Sequence, residues 1–253
     1  MSFGDHLEEL RRMLFRVIAV SVILAVVVFC AKSLVWQWLL APSSSSFCTY
    51  RAITTLMHAL GQPDFQLQDF SLTFVATELS SQFLAHVSSS FWLGLLLSSP
   101  FVTVQVFRFV APALRDSEYH YGRRLTLVAY VLFLLGLLLS YFVLFPVSCR
   151  FLATYSVSDQ VHTMVTIDSY MQTFVTLTLM TGLAFQLPVV TYLLARMHIV
   201  RAGMLSRYRR HALLLVLVLS AIITPPDAMS LLMVALPLYL LYEVSIIVVR
   251  RVR

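Results

Sequence analysis

Charge is scarce in this sequence. Only 12% of its 253 residues are Asp, Glu, Lys or Arg, about half of the ~25% usual in a soluble domain. Eighteen basic and twelve acidic side chains cannot cover a water-facing surface on a chain of this length. Glycine and cysteine are also scarce, at 7 and 3 residues, which excludes a collagen-like repeat and a disulfide scaffold. The polar composition of a disordered chain is missing too, since 59% of the residues are hydrophobic and the mean hydropathy is +0.85. A polytopic membrane protein is what remains.

Missing motifs narrow the function. There is no G-x-x-x-x-G-K-[ST] loop for phosphates, no H-E-x-x-H for zinc and no G-x-S-x-G elbow. The histidines are scattered, with His6 and His120 on one side of the predicted spans and His58 and His162 on the other. No C-x-x-C or other metal-ligand spacing occurs. The sequence therefore predicts no enzyme, no catalytic residue, no metal site and no cofactor. Cys48 and Cys149 fall on one predicted side, where a disulfide and two free thiols are both open readings; Cys30 lies near the end of the first span.

What is present is six apolar stretches, at about 14–34, 83–107, 125–148, 170–194, 212–223 and 229–249. A helix needs ~20 mostly apolar residues to cross the hydrocarbon core. The runs are continuous rather than alternating, which argues against a β-barrel. The fifth is short: Ala212–Ile223 rises only ~18 Å as a helix. Thr224-Pro225-Pro226-Asp227 then stops it, because proline cannot donate to the preceding turn. Stretches five and six read as a short hairpin, either thinning the bilayer or tucked back into the bundle.

The basic residues sort by side. Arg11, Arg12 and Arg16 precede the first span. Arg108, Arg115, Arg123 and Arg124 follow the second, and Arg196, Arg201, Arg207, Arg209 and Arg210 follow the fourth. Arg250, Arg251 and Arg253 close the chain. The other compartments hold only Lys32, Arg51 and Arg150, so 15 of 18 basic residues share one side. The positive-inside rule makes that side, with both termini, cytoplasmic. The net charge of +6 is placed for anionic lipid head groups rather than nucleic acid. Arg11-Arg12 before an apolar run looks like an export signal. Asp5, Glu8 and Glu9 precede the arginines, however, and no small-residue cleavage site stands near Cys30-Ala31, so the first helix reads as uncleaved.

Residues 1–13 read as an amphipathic helix at the cytoplasmic surface that runs into the first span. Ser2 and Asp5 have capping-box spacing, and Phe3, Leu7, Leu10 and Leu14 recur at helical spacing. Glu8 and Glu9 gain nothing from an anionic membrane, which points to a basic partner. In the second cytoplasmic region, Asp116 and Glu118 sit among four arginines. They form either internal salt bridges or a carboxylate site for a partner's guanidinium forks. Polar groups inside a bilayer are functional suspects: Gln186 just before Pro188, Glu243 after Pro237, and Asp227 at the hairpin tip. An ion pair of Glu243 with Arg250, two turns away, is an equal reading. Thr173, Thr176, Thr178 and Thr181 read as helix-packing residues.

Three segments together resemble one family. His6-Leu-Glu-Glu-Leu-Arg-Arg12 is similar to the opening motif of TatC proteins. So is Ser99-Pro-Phe101 with Gln105-Val-Phe-Arg-Phe-Val-Ala-Pro-Ala-Leu114 and Glu118, and so is Ile223-Thr-Pro-Pro-Asp227 with Ala235-Leu-Pro-Leu-Tyr-Leu-Leu-Tyr-Glu243. The resemblance covers nearly the whole chain. It implies one all-α domain over 1–253, with six transmembrane helices in a concave, glove-like bundle, short helices five and six, and a bacterial cytoplasmic (inner) membrane location.

The resemblance further implies a receptor and core subunit of the twin-arginine translocase, driven by the proton motive force. Glu9 and Glu118 match the positions that bind the paired arginines of signal peptides on folded substrates, and Leu10, Arg11 and Phe109 match others linked to recognition. Pro42, Glu78 and Asp168 match the non-cytoplasmic cap. Gln186, Asp227 and Glu243 are the intramembrane polar or partner-contact positions. Implied partners are TatA- and TatB-type single-span proteins at helices five and six, membrane lipids, and further copies of the chain. Gln186 stands where many members have Glu, and Leu231 where some have Gln. A secondary transporter or channel for a small solute is the alternative, and it needs ionisable groups near the bilayer midplane. A scaffold that binds only single-span helices is the third reading.

Overall fold

The computed structural model describes residues 3–62, 67, 70–110, 119–156, 158, 164–224 and 227–251, with backbone alone at 3, 5, 6, 107, 110 and 119–123. The Ser2–Asp5 capping box, the acidic pair Asp116 and Glu118, and Pro225-Pro226 lie outside the residues so described.

The chain is an all-α polytopic membrane protein, and each of the six apolar stretches is helical. Among the described residues, four helical stretches are long and apolar enough to cross a membrane: Leu7–Cys30, Arg124–Thr154, Ile167–Arg196 and Ala228–Arg250. A fifth is the bent pair Ser81–Leu97 and Ser99–Val106, with 51° between its halves. The bend follows from Pro100, which has no N–H to continue the ladder. The short predicted helix is Arg209–Ile223, which rises about 22 Å against a hydrocarbon core of ~30 Å.

In chain order the helices are α1 (Phe3–Cys30), α2 (Lys32–Leu40), α3 (Cys48–Ala59), α4 (Ser81–Leu97), α5 (Ser99–Val110) and α6 (Tyr119–Leu139). After a π-helical turn at Ser140–Leu144 come α7 (Phe145–Thr154), α8 (Ile167–Ala184), α9 (Leu187–Arg196), α10 (Ala202–Arg207), α11 (Arg209–Ile223) and α12 (Ala228–Arg250). The segment 1–13 runs into the first apolar stretch, α1 continuing unbroken through both from Phe3. Two boundaries differ from expectation. The apolar run to residue 34 is cut at Ala31, because Val35, Trp36 and Leu40 of α2 pack into the core beside the span. The third span continues past 148 to Thr154, because Arg150 sits over the rings of Tyr50 and Phe70, at 5.5 and 5.1 Å, instead of ending the helix.

The core is concentrated at the end opposite the arginines. There α2, α7, α8, α11 and α12 converge on Phe145, Tyr170, Phe174, Leu177, Val234 and Leu238. The rings pack edge to face, with Phe145 centred 5.1 Å from Tyr170 and 5.0 Å from Phe174. The strands β1 (Phe74–Val75) and β2 (Val165–Thr166) pair in parallel at this end, and the turn Ala41–Ser43 buries Pro42. By contrast, α1 is only 11% buried along its apolar window and packs chiefly on α4 and α5. Its grip on α4 is close. A Cβ at Gly94 would fall 2.5 Å from the Ala25 nitrogen and 2.6 Å from its Cα, so only glycine fits. One turn on, the hydroxyls of Ser21 and Ser98 are hydrogen-bonded at 2.8 Å.

Candidate functional site

The antiparallel run of α1 against α5 builds a cavity of about 390 Å³ at the arginine-rich end. Helical spacing selects its walls: Glu9, Arg12, Met13 and Arg16 from α1, and Gln105, Arg108 and Phe109 from α5, with Glu8 at the edge. Glu9 is half-buried, and its Oε2 is enclosed without a hydrogen-bond partner among the described residues. Glu8 differs, being exposed and ion-paired with Arg12 one turn on. The cavity thus holds one committed carboxylate and one with an acceptor to spare. Gln105, 94% buried, fixes the wall of α5.

Of the five residues assigned to signal recognition, the structure brings Glu9 and Phe109 together in this cavity. Leu10 and Arg11 do not line it: Leu10 is exposed, and Arg11 lies over the Phe15 ring at 5.7 Å. Glu118 lies outside the described residues. The sequence reading missed Gln105, Arg16 and Arg108 as walls, although steps of three and four from Glu9 and Phe109 lead to them.

The polar residues that the sequence suggested as intramembrane have defined local work. Gln186 stands at the break between α8 and α9, just before Pro188, and its Nε2 donates to the Ala129 carbonyl of α6 at 3.0 Å. Glu243 does not pair with Arg250. Its Oε2 accepts from Arg209 Nη2 at 2.8 Å and its Oε1 lies 3.3 Å from Tyr239 Oη. The hairpin sets the start of α11 beside the end of α12, so the partner comes from 34 residues back. Arg250 instead reaches Ser206 Oγ at 3.4 Å. Asp227 caps α12, accepting from the Ser230 N–H at 2.6 Å. Thr178 and Thr181 are buried helix-packing residues, Thr178 against Ser140 at 3.3 Å.

At the opposite end, Pro42 is built into the packing, whereas Glu78 and Asp168 are exposed at the starts of α4 and α8. Tyrosines do the joining there. Tyr50 Oη lies 3.0 Å from the Pro42 carbonyl and 2.8 Å from that of Pro146. Burial, reinforced by the Cys149 thiol and opposed by Arg150, raises its phenol well above the ordinary value, so it remains a donor. Tyr141 and Tyr170 donate to the Trp38 and Leu39 carbonyls in the last turn of α2, each at 2.8 Å, satisfying groups a helix end leaves open. Sequence reasoning gave no signal for these tyrosines, because their acceptors are backbone atoms of distant segments. Cys30, Cys48 and Cys149 are free thiols.

Residues 5–237 match the family described as Sec-independent protein translocase protein (TatC). The chain belongs to the TatC family. It is 30% identical to the TatC of Blattabacterium sp. subsp. Periplaneta americana over 253 residues, covering 97% of this chain and 94% of that protein. Against the TatC of Carboxydothermus hydrogenoformans the identity is 32%, over 100% of this chain and 94% of the relative. A solved structure described as the twin arginine translocase receptor TatC superposes with a TM-score of 0.75 at 26% identity, covering 97% of this chain and 98% of that one. TatC proteins are components of a protein translocase and not enzymes. This TatC-family chain is accordingly a membrane component of twin-arginine protein transport.

Proposed function

We propose that this chain is the signal receptor and core subunit of a twin-arginine translocase, its whole length, 1–253, forming one domain in the bacterial cytoplasmic membrane. In this reading six helices span the bilayer and both termini are cytoplasmic. Glu9, with Glu118, receives the paired arginines of the signal peptide, and Phe109 lines the cavity beside them. The supporting observation is the α1–α5 cavity, in which the Glu9 carboxylate keeps an enclosed oxygen without a donor. An arginine fork fits that acceptor better than an ammonium, because it presents several donors in one plane.

The cavity also carries Arg12, Arg16 and Arg108, so the incoming arginines exchange with resident ones. The exposed Glu8–Arg12 pair is the easiest to give up. Single-span partners of the TatA and TatB type assemble at α11 and α12, where much apolar surface remains exposed, and further copies of the chain join the receptor complex. The small-solute alternative needs a titratable group free at mid-membrane. Gln186 cannot titrate, and Glu243 is ion-paired with Arg209 near a helix end.

The test is site-specific crosslinking of an Arg-Arg signal peptide to the full chain in membranes. Glu9→Gln with Glu118→Gln is expected to weaken binding by roughly 2–5 kcal/mol, the scale of losing one side of a desolvated charge pair. An Arg-Arg to Lys-Lys peptide should lose affinity on the parent and little more on the double variant. Unchanged crosslinking to the double variant overturns the assignment.

A further inference from the structure

We infer that the cavity between Arg201 and Arg250 is a binding site for the phosphate headgroup of an anionic membrane lipid. It lies where α9 and α12 end beside the turn leading into α10, and its volume is about 340 Å³. Arg201, Arg250 and His198 form an exposed rim, and the buried Ala195 and Val249 form an apolar floor. Among the described residues no carboxylate lines it. The sequence has no acidic residue between Asp168 and Asp227, and Glu243, the acid nearest in sequence to Arg250, is occupied by Arg209.

The local structure explains why the cations gather without anions. The C-terminal ends of α9 and α12 carry partial negative charge, which favours guanidinium groups there. The chain leaves α9 through His198, whose φ of 59° turns it sharply toward Arg201. Arg250 makes one hydrogen bond among the described residues, to Ser206 Oγ at 3.4 Å. A guanidinium has five donors, so most of its capacity faces the cavity and solvent.

The ligand chemistry follows. Two guanidinium groups over an apolar floor suit a phosphate oxygen cluster with a short carbon skeleton beneath it. The position selects a lipid over a soluble phosphate. The cavity sits at the ends of two spans, on the side that the charge distribution makes cytoplasmic, and basic pockets between helix ends at that level receive headgroups. The same helices and turn carry exposed Val190, Met197, Ile199, Val244 and Ile247, along which acyl chains can lie.

Native mass spectrometry of the full chain in neutral detergent tests this, with phosphatidylglycerol as the probe and phosphatidylcholine and inorganic phosphate as comparisons. Phosphatidylglycerol is expected to bind in preference to both. Arg201→Gln with Arg250→Gln should weaken that binding roughly tenfold or more, on the scale of charge-assisted hydrogen bonds. Arg201→Lys with Arg250→Lys should weaken it less, and Arg51→Gln at the opposite end should leave it unchanged. Parent-like binding by the double Gln variant overturns the proposal. So does equal occupancy by inorganic phosphate, which would make this a soluble-anion site. If the double Gln variant does not fold, a headgroup-photoreactive phosphatidylglycerol on the parent chain decides. Labelling within 195–202 or 249–250 supports the site, and labelling only elsewhere overturns it.

Discussion

Replacing Gly94 by alanine should pry the first helix from the bundle. The new Cβ would begin 2.5 Å from the Ala25 nitrogen and 2.6 Å from its Cα, whereas ordinary contact starts at 3.4 Å. Both obstructing atoms are backbone, so no rotamer change relieves them, and α1 must retreat by about 0.9 Å in a close-packed interface. That retreat stretches the Ser21–Ser98 hydrogen bond from 2.8 Å to about 3.7 Å, beyond hydrogen-bond range. Overpacking costs about 1–3 kcal/mol, and the lost hydrogen bond adds about 1 kcal/mol. Because α1 has little burial apart from this contact and α5, the loss falls on one interface. Thermal unfolding of the purified chain in detergent, followed by size-exclusion recovery, should show a midpoint lower by roughly 5–10 °C. Adding Ala25→Gly should not restore it, since the nitrogen and Cα remain. A Gly94→Ala variant that melts within about a degree of the parent would refute the reasoning, as would rescue by Ala25→Gly.

Three further outcomes are expected. Thr49→Val removes the hydroxyl that donates to the Phe142 carbonyl, which Pro146 cannot serve four residues on; stability should fall by about 1 kcal/mol, read as a lower unfolding midpoint. Gln186→Leu deletes the link from the α8–α9 break to Ala129 and should cost about 0.5–1.5 kcal/mol in the same assay, while Arg-Arg peptide crosslinking at Glu9 stays intact. A double-mutant cycle of Arg209→Gln and Glu243→Gln should give a coupling below about 1 kcal/mol, because both groups remain partly exposed; a value several times larger would mean that the pair is desolvated in the membrane.

Hydropathy made the helices legible because the bilayer imposes one rule on every span, and each of the six apolar stretches falls on helix, the helix ends lying a few residues from the ends of the runs. The bend beside Pro100 and the break before Pro188 follow from local backbone chemistry, and an interruption at the second was readable from the proline. What stayed hidden depends on pairs remote in sequence. Arg209 meets Glu243 across the hairpin, where spacing along one helix offered Arg250. Nothing about Gly94 alone points to Ala25. In the candidate site, Glu9 and Phe109 were singled out through family resemblance; helical steps lead from them to Arg16, Gln105 and Arg108, but that the two faces meet needed the antiparallel register of α1 on α5. Leu10 and Arg11 show the converse, since a matching motif position need not face the cavity.

The unbroken first helix has a mechanical consequence. From Glu9 to Ala25 it rises about 24 Å without a proline or a break, while the helix pair it rests on is bent at Ser98. A stiff rod laid along a jointed one does not absorb a sideways load at its tip by local yielding. Force applied where a cargo's arginines would dock is transmitted as tilt about the Gly94–Ala25 fulcrum, or it opens the angle at Ser98. The close Gly94–Ala25 contact between α1 and α4 thus sets how far the N-terminal end of α1 can swing.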